Sequence, residues 1–242
     1  MLRQTQPDHS GFLTDIATRS LTGGALLLTA QYHPDRFHPD LFFVSGMDVP
    51  SRIARAVPKR QAEFLAGRLL ARHGQRALGL SPDPVGTADS RAPVWPYGLV
   101  GSITHARGRC AVLISTDAQQ SHGIDTEQIA EGDSLKAILS QTLSDRDKAL
   151  LSKTETARDA TLAFSAKETL FKALYPQIGQ FFGFDAAELA EPPGPDTLRL
   201  RLTADLSRTF LKNQTFLIHH ATGDTHVLTW LSVPIPRDLT NT

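Results

Sequence analysis

The segment 162–174, LAFSAKETLFKAL, constrains the fold more than any other part of the chain. Its apolar residues recur every three or four positions, which predicts a helix that is buried on most sides. Ser165, Glu168 and Lys172 share one face of this helix, because they are three and four positions apart. A solvated Glu–Lys stripe is the simpler interpretation. A carboxylate buried there between ammonium groups would instead need a partner.

Composition places the chain among folded globular proteins. The 242 residues are 40% hydrophobic and 21% charged, and 25 basic residues balance 25 acidic ones. The zero net charge argues against broad electrostatic binding to nucleic acid. Cys110 is the only cysteine and lies in an apolar run, so we expect an inert core residue. The N-terminal region has no apolar stretch of membrane-spanning length and no signal-peptide pattern, so we expect a cytoplasmic protein without a membrane span.

The first half of the chain predicts a mixed fold. Residues 1–20 are expected to be poorly tied down, with one short helix at most. The other predicted elements are strands at 25–32 and 41–44, a helix at 58–78, a loop at 81–98, and strands at 99–104 and 109–115.

The helix at 58–78 carries many basic side chains, namely Lys59, Arg60, Arg68, Arg72 and Arg76. Two interpretations stay open for it. The arginines can lie along a solvated helix with their charges in water. They can also form an anion site, because the guanidinium fork matches the geometry of phosphate.

The second half predicts the same types of element. The predicted elements are a strand at 122–127, helices at 134–139 and 144–151, a long helix from 156 to 175 that stops before Pro176, and strands at 198–202, 215–220 and 226–233. Ser144 is predicted to cap the second helix, and residues 222–224 are predicted to form a hairpin turn. A metal triad of His219, His220 and His226 on this hairpin is a minor alternative to ordinary packing.

Three carboxylates carry the most informative pattern. Asp125 and Glu127 lie on one face of a predicted strand, because side chains alternate along a strand, and Glu168 lies on the central helix. Oxygen ligands without nearby cysteine suit Mg²⁺, which often shares its coordination shell with substrate phosphates. The pattern therefore predicts a Mg²⁺–pyrophosphate site.

Three basic side chains lie close to these carboxylates in the sequence pattern. Lys167 and Lys172 flank Glu168 and would neutralise further phosphate charge. His105, at the end of a strand, could donate to the same phosphates. The combination of acidic and basic motifs in this order is stronger evidence for such a site than either motif alone.

Three motifs resemble those of a known family. GSITH at 101–105, GIDTE at 123–127, and FSAKE at 164–168 followed by Lys172 resemble the signature motifs of Sfp-type 4′-phosphopantetheinyl transferases. Residues 61–68 and 91–96 also resemble the branch associated with enterobactin-like siderophore synthases. Thr104 stands where a serine is more usual. Ala92 precedes Pro93 where the wider family often has a lysine, so Arg91 is the candidate substitute.

The resemblance implies an α+β fold of two pseudo-symmetric lobes. Each lobe would be a small, mainly antiparallel sheet packed by a long helix, with the N-terminal lobe at 1–119 and the C-terminal lobe at 120–242. Coenzyme A would bind in the cleft between the lobes.

The resemblance also implies roles for individual residues. Mg²⁺ would be held by Asp125, Glu127 and Glu168, one of them acting through water. The candidate contacts to coenzyme A are Arg60, Arg68, Arg91, Thr104, His105, Asp125, Lys167 and Lys172. Glu168 would be the general base, and Lys172 would stabilise the developing negative charge.

The implied activity is transfer of 4′-phosphopantetheine from coenzyme A to a serine of an acyl or peptidyl carrier protein, which leaves 3′,5′-adenosine bisphosphate. The carrier would be a transient partner of a monomeric enzyme in siderophore, nonribosomal peptide or polyketide synthesis. Two alternatives remain: a non-catalytic module that binds coenzyme A or carrier protein, and a Mg²⁺-dependent phosphohydrolase.

Overall fold

The computed structural model describes residues 11–151 and 156–235. The chain divides into two compact units, with the boundary after Ala118. Each unit contains an antiparallel sheet with one long helix packed on it. The predicted α+β class is therefore confirmed.

The described part of the first unit contains one sheet of four strands and a separate short hairpin. The strands are β1 (Leu13–Ser20), β2 (Leu26–Tyr32), β3 (Gly86–Thr87), β4 (Pro93–Val94), β5 (Val100–Ala106) and β6 (Arg109–Ser115). The helices are α1 (Asp40–Val44), α2 (Ser51–Ala54) and α3 (Pro58–Ala77). The sheet order is β1-β2-β6-β5, and β3 pairs with β4 alone.

Helix α3 begins at Pro58, where the missing N–H costs no hydrogen bond. Most of its apolar side is buried, with Leu65 and Leu70 at 0% exposure. A Cβ added at Gly67 would lie 2.7 Å from Cγ2 of Ile103 on β5, so the helix lies close to this strand. One of its basic side chains, Arg68, contacts the segment that carries β3.

Two predictions for this unit are wrong. The segment 41–44 was predicted as a strand but lies in helix α1, because a short apolar run has no periodicity that separates the two. The segment up to residue 20 was expected to be loose, yet Leu13–Ser20 forms β1 and pairs with β2. Residues 1–10 lie outside the described residues.

The described part of the second unit contains one sheet of five strands. The strands are β7 (Gln120–Gln128), β8 (Ala187–Leu189), β9 (Thr197–Leu202), β10 (Thr215–Thr222) and β11 (His226–Pro234). The helices are α4 (Gly132–Ala137), α5 (Asp145–Leu150) and α6 (Thr156–Ile178). The sheet order is β7-β11-β10-β9-β8.

Two local predictions for this unit are confirmed. Ser144 forms a capping box with Asp147 at the start of α5. Gly223 lies in the turn between the antiparallel strands β10 and β11, and its N–H donates to the carbonyl of His226 over 2.9 Å.

Helix α6 is the centre of the second core. Ala163, Ala166 and Leu170 are 0% exposed, as the apolar pattern predicts. The helix does not stop before Pro176 but ends at Ile178, followed by Gly179 at φ 70°. A glycine with positive φ is a common helix end, and Ile178 packs against the core, which favours one further turn.

Strand β7 lies unusually close to α6. A Cβ added at Gly123 would stand 2.0 Å from the carbonyl oxygen of Thr169 and 3.0 Å from Cβ of Ala173. Only glycine allows this approach. It brings the strand that carries Asp125 against the helix that carries Glu168.

Within residues 11–151 and 156–235, no helix combines the length and apolar character that crossing a membrane would require.

Candidate active site

The first unit contains a basic cavity of about 330 Å³. Its titratable lining, among the described residues, consists of Arg52, Arg60, Glu63, Arg68, Arg91 and His105. We call this the arginine cavity. Four guanidinium groups face one carboxylate, so the cavity carries an excess of positive charge that suits an anion with several phosphate oxygens.

Arg60, Glu63 and His105 form one hydrogen-bonded group at the cavity wall. Nη1 of Arg60 donates to Nε2 of His105 over 2.8 Å and to Oε2 of Glu63 over 3.3 Å. Nδ1 of His105 lies 3.7 Å from the same carboxylate oxygen. Because the guanidinium can only donate, Nε2 of His105 accepts the hydrogen bond in this arrangement.

Arg68 has a structural role as well as a place in the cavity. Its Nε donates to the carbonyl of Val85 over 2.9 Å, and its Nη2 donates to the carbonyl of Gly86 over 2.8 Å and to Oγ1 of Thr87 over 3.0 Å. Burial, reinforced by the charges of Arg52 and Arg60, lowers the pKa of the Arg68 guanidinium to about 10. It remains charged at neutral pH and holds the β3 segment in place.

Arg91 lies between β3 and β4 and is exposed at the cavity. Its φ is 72°, in the left-handed region that side chains other than glycine rarely adopt. Strained backbone of this kind often accompanies function. Of the lining arginines, Arg52 on α2 was missed by sequence reasoning, because an isolated arginine in a short polar helix carries no pattern.

The two predicted contacts on β5 differ in their position relative to the cavity. His105 and Ile103 line the arginine cavity, whereas Thr104 does not and is 5% exposed. Successive side chains of a strand point to opposite faces. Thr104 is therefore buried on the face of β5 opposite to the cavity.

Asp125 of β7 is held from two sides by α6. Nζ of Lys172 donates to its Oδ1 over 2.6 Å, and Oγ of Ser165 donates to its Oδ2 over 2.8 Å. The Asp125 side chain is 4% exposed and that of Lys172 is 27% exposed. The predicted shared face of Ser165 and Lys172 thus meets a carboxylate of the other motif.

Glu168 is half-buried on α6, the helix whose Ser165 and Lys172 bind Asp125. Burial raises the pKa of the Glu168 carboxyl above its ordinary value; Lys172 opposes this shift and the charge of Asp125 adds to it. Glu168 also lines a cavity of about 130 Å³ with Phe171, Phe181 and Phe182. A carboxylate with a raised pKa is a better proton acceptor than an ordinary surface glutamate.

The structure places Lys167 of α6 among buried acceptors. Its Nζ donates to Oδ2 of Asp147 over 2.7 Å, to the carbonyl of Thr142 over 2.9 Å and to that of Phe184 over 3.1 Å. These bonds use all three donors of the ammonium group. Lys167 is 4% exposed and forms a buried ion pair with Asp147, while its contact to coenzyme A stays a prediction. Asp147 was missed because its partner lies twenty positions away.

No group of three or more histidine, cysteine, aspartate or glutamate side chains is arranged to hold a metal ion in the described ranges. Glu127 is half-buried on β7 and pairs in register with Val227. The proposed ligand role of Glu127 stays a prediction. His219 stacks on Trp230 with ring centroids 5.7 Å apart, which is the packing role that we favoured for this histidine.

The sequence matches two family models in succession. Residues 49–115 match the 4′-phosphopantetheinyl transferase N-terminal domain, and residues 121–230 match the 4′-phosphopantetheinyl transferase superfamily. Enterobactin synthase component D of Salmonella typhi is 34% identical over 169 residues, which is 69% of each chain. This chain belongs to the 4′-phosphopantetheinyl transferase superfamily.

Two further relatives of this superfamily member are named as 4′-phosphopantetheinyl transferases. The 4′-phosphopantetheinyl transferase Svp of Streptomyces mobaraensis is 41% identical over 157 residues, 63% of each chain. The 4′-phosphopantetheinyl transferase PptT of Mycobacterium tuberculosis is 37% identical over 141 residues, which is 57% of this chain and 61% of the relative. The matched part thus spans less than two thirds of either relative.

Both candidate regions lie within the family matches. The first match includes all six charged or histidine residues of the arginine cavity. The second includes Asp125, Glu168 and Lys172. The two regions that the superfamily member shares with its relatives are therefore the regions where ionisable side chains converge.

Proposed function

We propose that this chain transfers the 4′-phosphopantetheine group of coenzyme A to a serine of an acyl or peptidyl carrier protein. The observation that carries the proposal is the clamp on Asp125: a superfamily member places a buried aspartate between Lys172 and Ser165, next to a glutamate whose pKa is raised. Charge neutralisation and positioning are what phosphoryl transfer requires.

The residues of the second unit have separable roles in this reaction. Glu168 accepts the proton of the carrier serine while the serine oxygen forms a bond to the β-phosphorus of coenzyme A. The phosphoanhydride bond breaks, and 3′,5′-adenosine bisphosphate leaves with the bridging oxygen. Lys172 stabilises the negative charge that develops on the phosphates, because its ammonium is partly exposed beside Asp125.

The donors near Asp125 are compatible with Mg²⁺. Glu168 shares α6 with Ser165 and Lys172, which bind Asp125, and the charge of Asp125 contributes to raising the pKa of the Glu168 carboxyl. Mg²⁺ often takes only one or two protein carboxylates and fills its shell with water and phosphate oxygens. We propose Asp125 and Glu168 as the holding pair, with Glu127 as the outer candidate. Bound Mg²⁺ would supply positive charge to the pyrophosphate.

The arginine cavity is the proposed site for the phosphates of coenzyme A in the first unit. Arg60, Arg91 and His105 are the contacts that we retain, with Arg52 added to them. Arg68 contributes charge while it holds the β3 segment. Lys167 and Thr104 are left out, because one is saturated by buried acceptors and the other faces away from the cavity.

The test is an assay with coenzyme A, Mg²⁺ and an apo carrier protein, with the carrier read by intact-protein mass. The expected result is a gain of one phosphopantetheine on the carrier and stoichiometric release of 3′,5′-adenosine bisphosphate. A carrier whose serine is replaced by alanine is the matched control. Release of the bisphosphate without carrier modification would favour a phosphohydrolase. The absence of both products would overturn the proposal.

Cellular location and assembly are two further parts of the proposal. We retain a cytoplasmic monomer as the expectation, which cell fractionation and light scattering of the purified chain would test. Siderophore, peptide and polyketide carriers are all candidate acceptors, and a panel of apo carriers in the same assay would rank them.

A further inference from the structure

Three buried hydroxyl groups form a line behind Asp125. Oγ1 of Thr169 lies 2.6 Å from Oγ1 of Thr229, which lies 2.9 Å from Oγ of Ser165, which donates to Oδ2 of Asp125 over 2.8 Å. Thr169, Thr229 and Ser165 are each 0% exposed. Thr229 stands on β11 directly opposite Asp125 on β7, so backbone pairing fixes its place.

The direction of the line follows from counting protons. Each hydroxyl has one proton to donate, and an ionised carboxylate can only accept. Ser165 gives its proton to Asp125, so the proton in the Ser165–Thr229 contact comes from Thr229. The proton in the Thr229–Thr169 contact then comes from Thr169. Only this order places a proton in all three contacts.

Alternative acceptors do not reverse the order. Thr229 can share its proton with the carbonyl of Ser165 at 3.0 Å, and Thr169 can share its proton with the carbonyl of Thr229 at 3.2 Å. Both carbonyls lie on the residue that already accepts in the line. Hydrogen bonds that run in one direction polarise one another, so each donor strengthens the next.

We infer that Thr229 is a positioning residue for Asp125, the middle member of a one-way hydroxyl chain that fixes this carboxylate. The inference rests on the proposed function, which makes Asp125 the residue at the reacting phosphates. The chain holds Oδ2 through Ser165, and Lys172 holds Oδ1. The carboxylate therefore cannot rotate without breaking a bond at either oxygen.

Thr229→Val is the test variant, because valine keeps the branched shape and removes the hydroxyl. Partners that orient a metal ligand are worth about 10–100-fold in metal affinity. For Thr229, one bond further away, we expect the Mg²⁺ concentration for half-maximal turnover to rise about threefold or more, with kcat lowered and KM for the carrier unchanged. Thr229→Ser, which restores the hydroxyl, should recover the wild-type Mg²⁺ dependence.

Thr161→Val is the matched control. Thr161 is also fully buried on α6, but its hydroxyl donates to the carbonyl of Ala157 and accepts from the N–H of Ala130, outside the hydroxyl chain. It should lower stability without a change in Mg²⁺ dependence. A purely structural role for Thr229 would give the same result as this control, and would overturn the inference.

Urea unfolding tests the hydroxyl chain by a readout that does not depend on catalytic activity. Thr229→Val should lower the urea concentration at the unfolding midpoint. This decrease should be smaller when Asp125 is already replaced by alanine, because the hydroxyl chain then no longer ends at a charged acceptor. Equal losses in both backgrounds would overturn the inference. If the wild type modifies no carrier, the proposed function fails. The coupling between Thr229 and Asp125 in urea unfolding would still test whether the hydroxyl chain fixes Asp125. Should Thr229→Val not fold, Thr169→Val tests the same coupling one step back, with a smaller loss expected.

Discussion

Lys167 and Asp147 form an ion pair of 2.7 Å with both side chains buried, at 3% and 0% exposure. Oδ1 of Asp147 also accepts from the N–H of Leu189, and its Oδ2 accepts from the N–H of Ser144. The pair therefore joins α6 to the start of α5 and to β8. Removing one partner leaves the other charge buried without compensation.

Lys167→Met should lower the free energy of unfolding by about 3–5 kcal/mol, the usual loss for one half of a buried pair. Urea denaturation followed by circular dichroism measures it. Lys148→Met is the matched control, because Lys148 forms an exposed pair with Asp145 at 3.6 Å and should cost less than about 1 kcal/mol. A loss as small as that of the control would contradict the structural role.

Glu168→Gln should abolish most turnover and yet raise stability at neutral pH. The raised pKa of Glu168 means that the folded state binds the carboxyl proton more tightly than the unfolded state does. The folded state is therefore disfavoured as pH rises through this pKa, and glutamine removes that cost.

Thermal melts in the presence of EDTA at a series of pH values measure this effect. The advantage of the glutamine variant should be largest above the raised pKa of Glu168. It should shrink as pH falls through that pKa and disappear below the ordinary pKa of a glutamate in the unfolded chain. An advantage that stays constant with pH would show that the carboxyl proton does not cause it.

Arg91→Gly should weaken binding of coenzyme A without loss of stability. Glycine adopts positive φ readily, so the backbone keeps its conformation while the cavity loses one guanidinium. Loss of a charge-assisted contact should raise the dissociation constant about tenfold or more. Calorimetry with coenzyme A measures the change.

Arg107→Gly is the control for that prediction. Arg107 also has positive φ, at 38°, is exposed, and does not line the arginine cavity. Its loss removes the same charge from the same unit, so a general electrostatic effect would appear in both variants. Equal weakening by the two changes would refute a specific role for Arg91.

Gly123→Ala should prevent stable folding of the second unit, because the added Cβ would stand 2.0 Å from a backbone oxygen of α6. A rigid backbone atom cannot turn aside as a side chain can. Gly223→Ala should be tolerated, because the nearest atom to the added Cβ would be the backbone oxygen of His226 at 3.7 Å. Soluble yield and the cooperativity of the thermal transition distinguish the two.

The strongly periodic parts of the chain could be predicted well from the sequence. Helix α3 was placed at 58–78 and is observed at Pro58–Ala77, since proline and a long apolar face marked it. The segment 41–44 failed because four apolar residues fit a strand and a helix equally well. The predicted end of α6 was wrong because a rule that ends a helix before proline does not take packing into account. Packing extends the helix past Pro176 to Ile178.

The candidate site divides in the same way. Asp125, Glu168 and Lys172 were found because residue type and spacing carry chemistry along a strand and a helix. The sequence could not show that Lys167 and Lys172 have different partners, because both are lysines near one glutamate. Only the tertiary contacts separate them: Lys167 meets buried acceptors, whereas Lys172 reaches Asp125. Thr229 had no local signal at all.

The position of β11 between β7 and β10 has a consequence for biosynthesis. A nascent chain that ends at Leu200 already contains Asp125, Ser165 and Lys172, but it lacks the strand that pairs with β7. Contacts between segments roughly a hundred residues apart form late, because a long loop must close first. Asp125 therefore acquires its final surroundings only after β11 has been synthesised and has paired with β7.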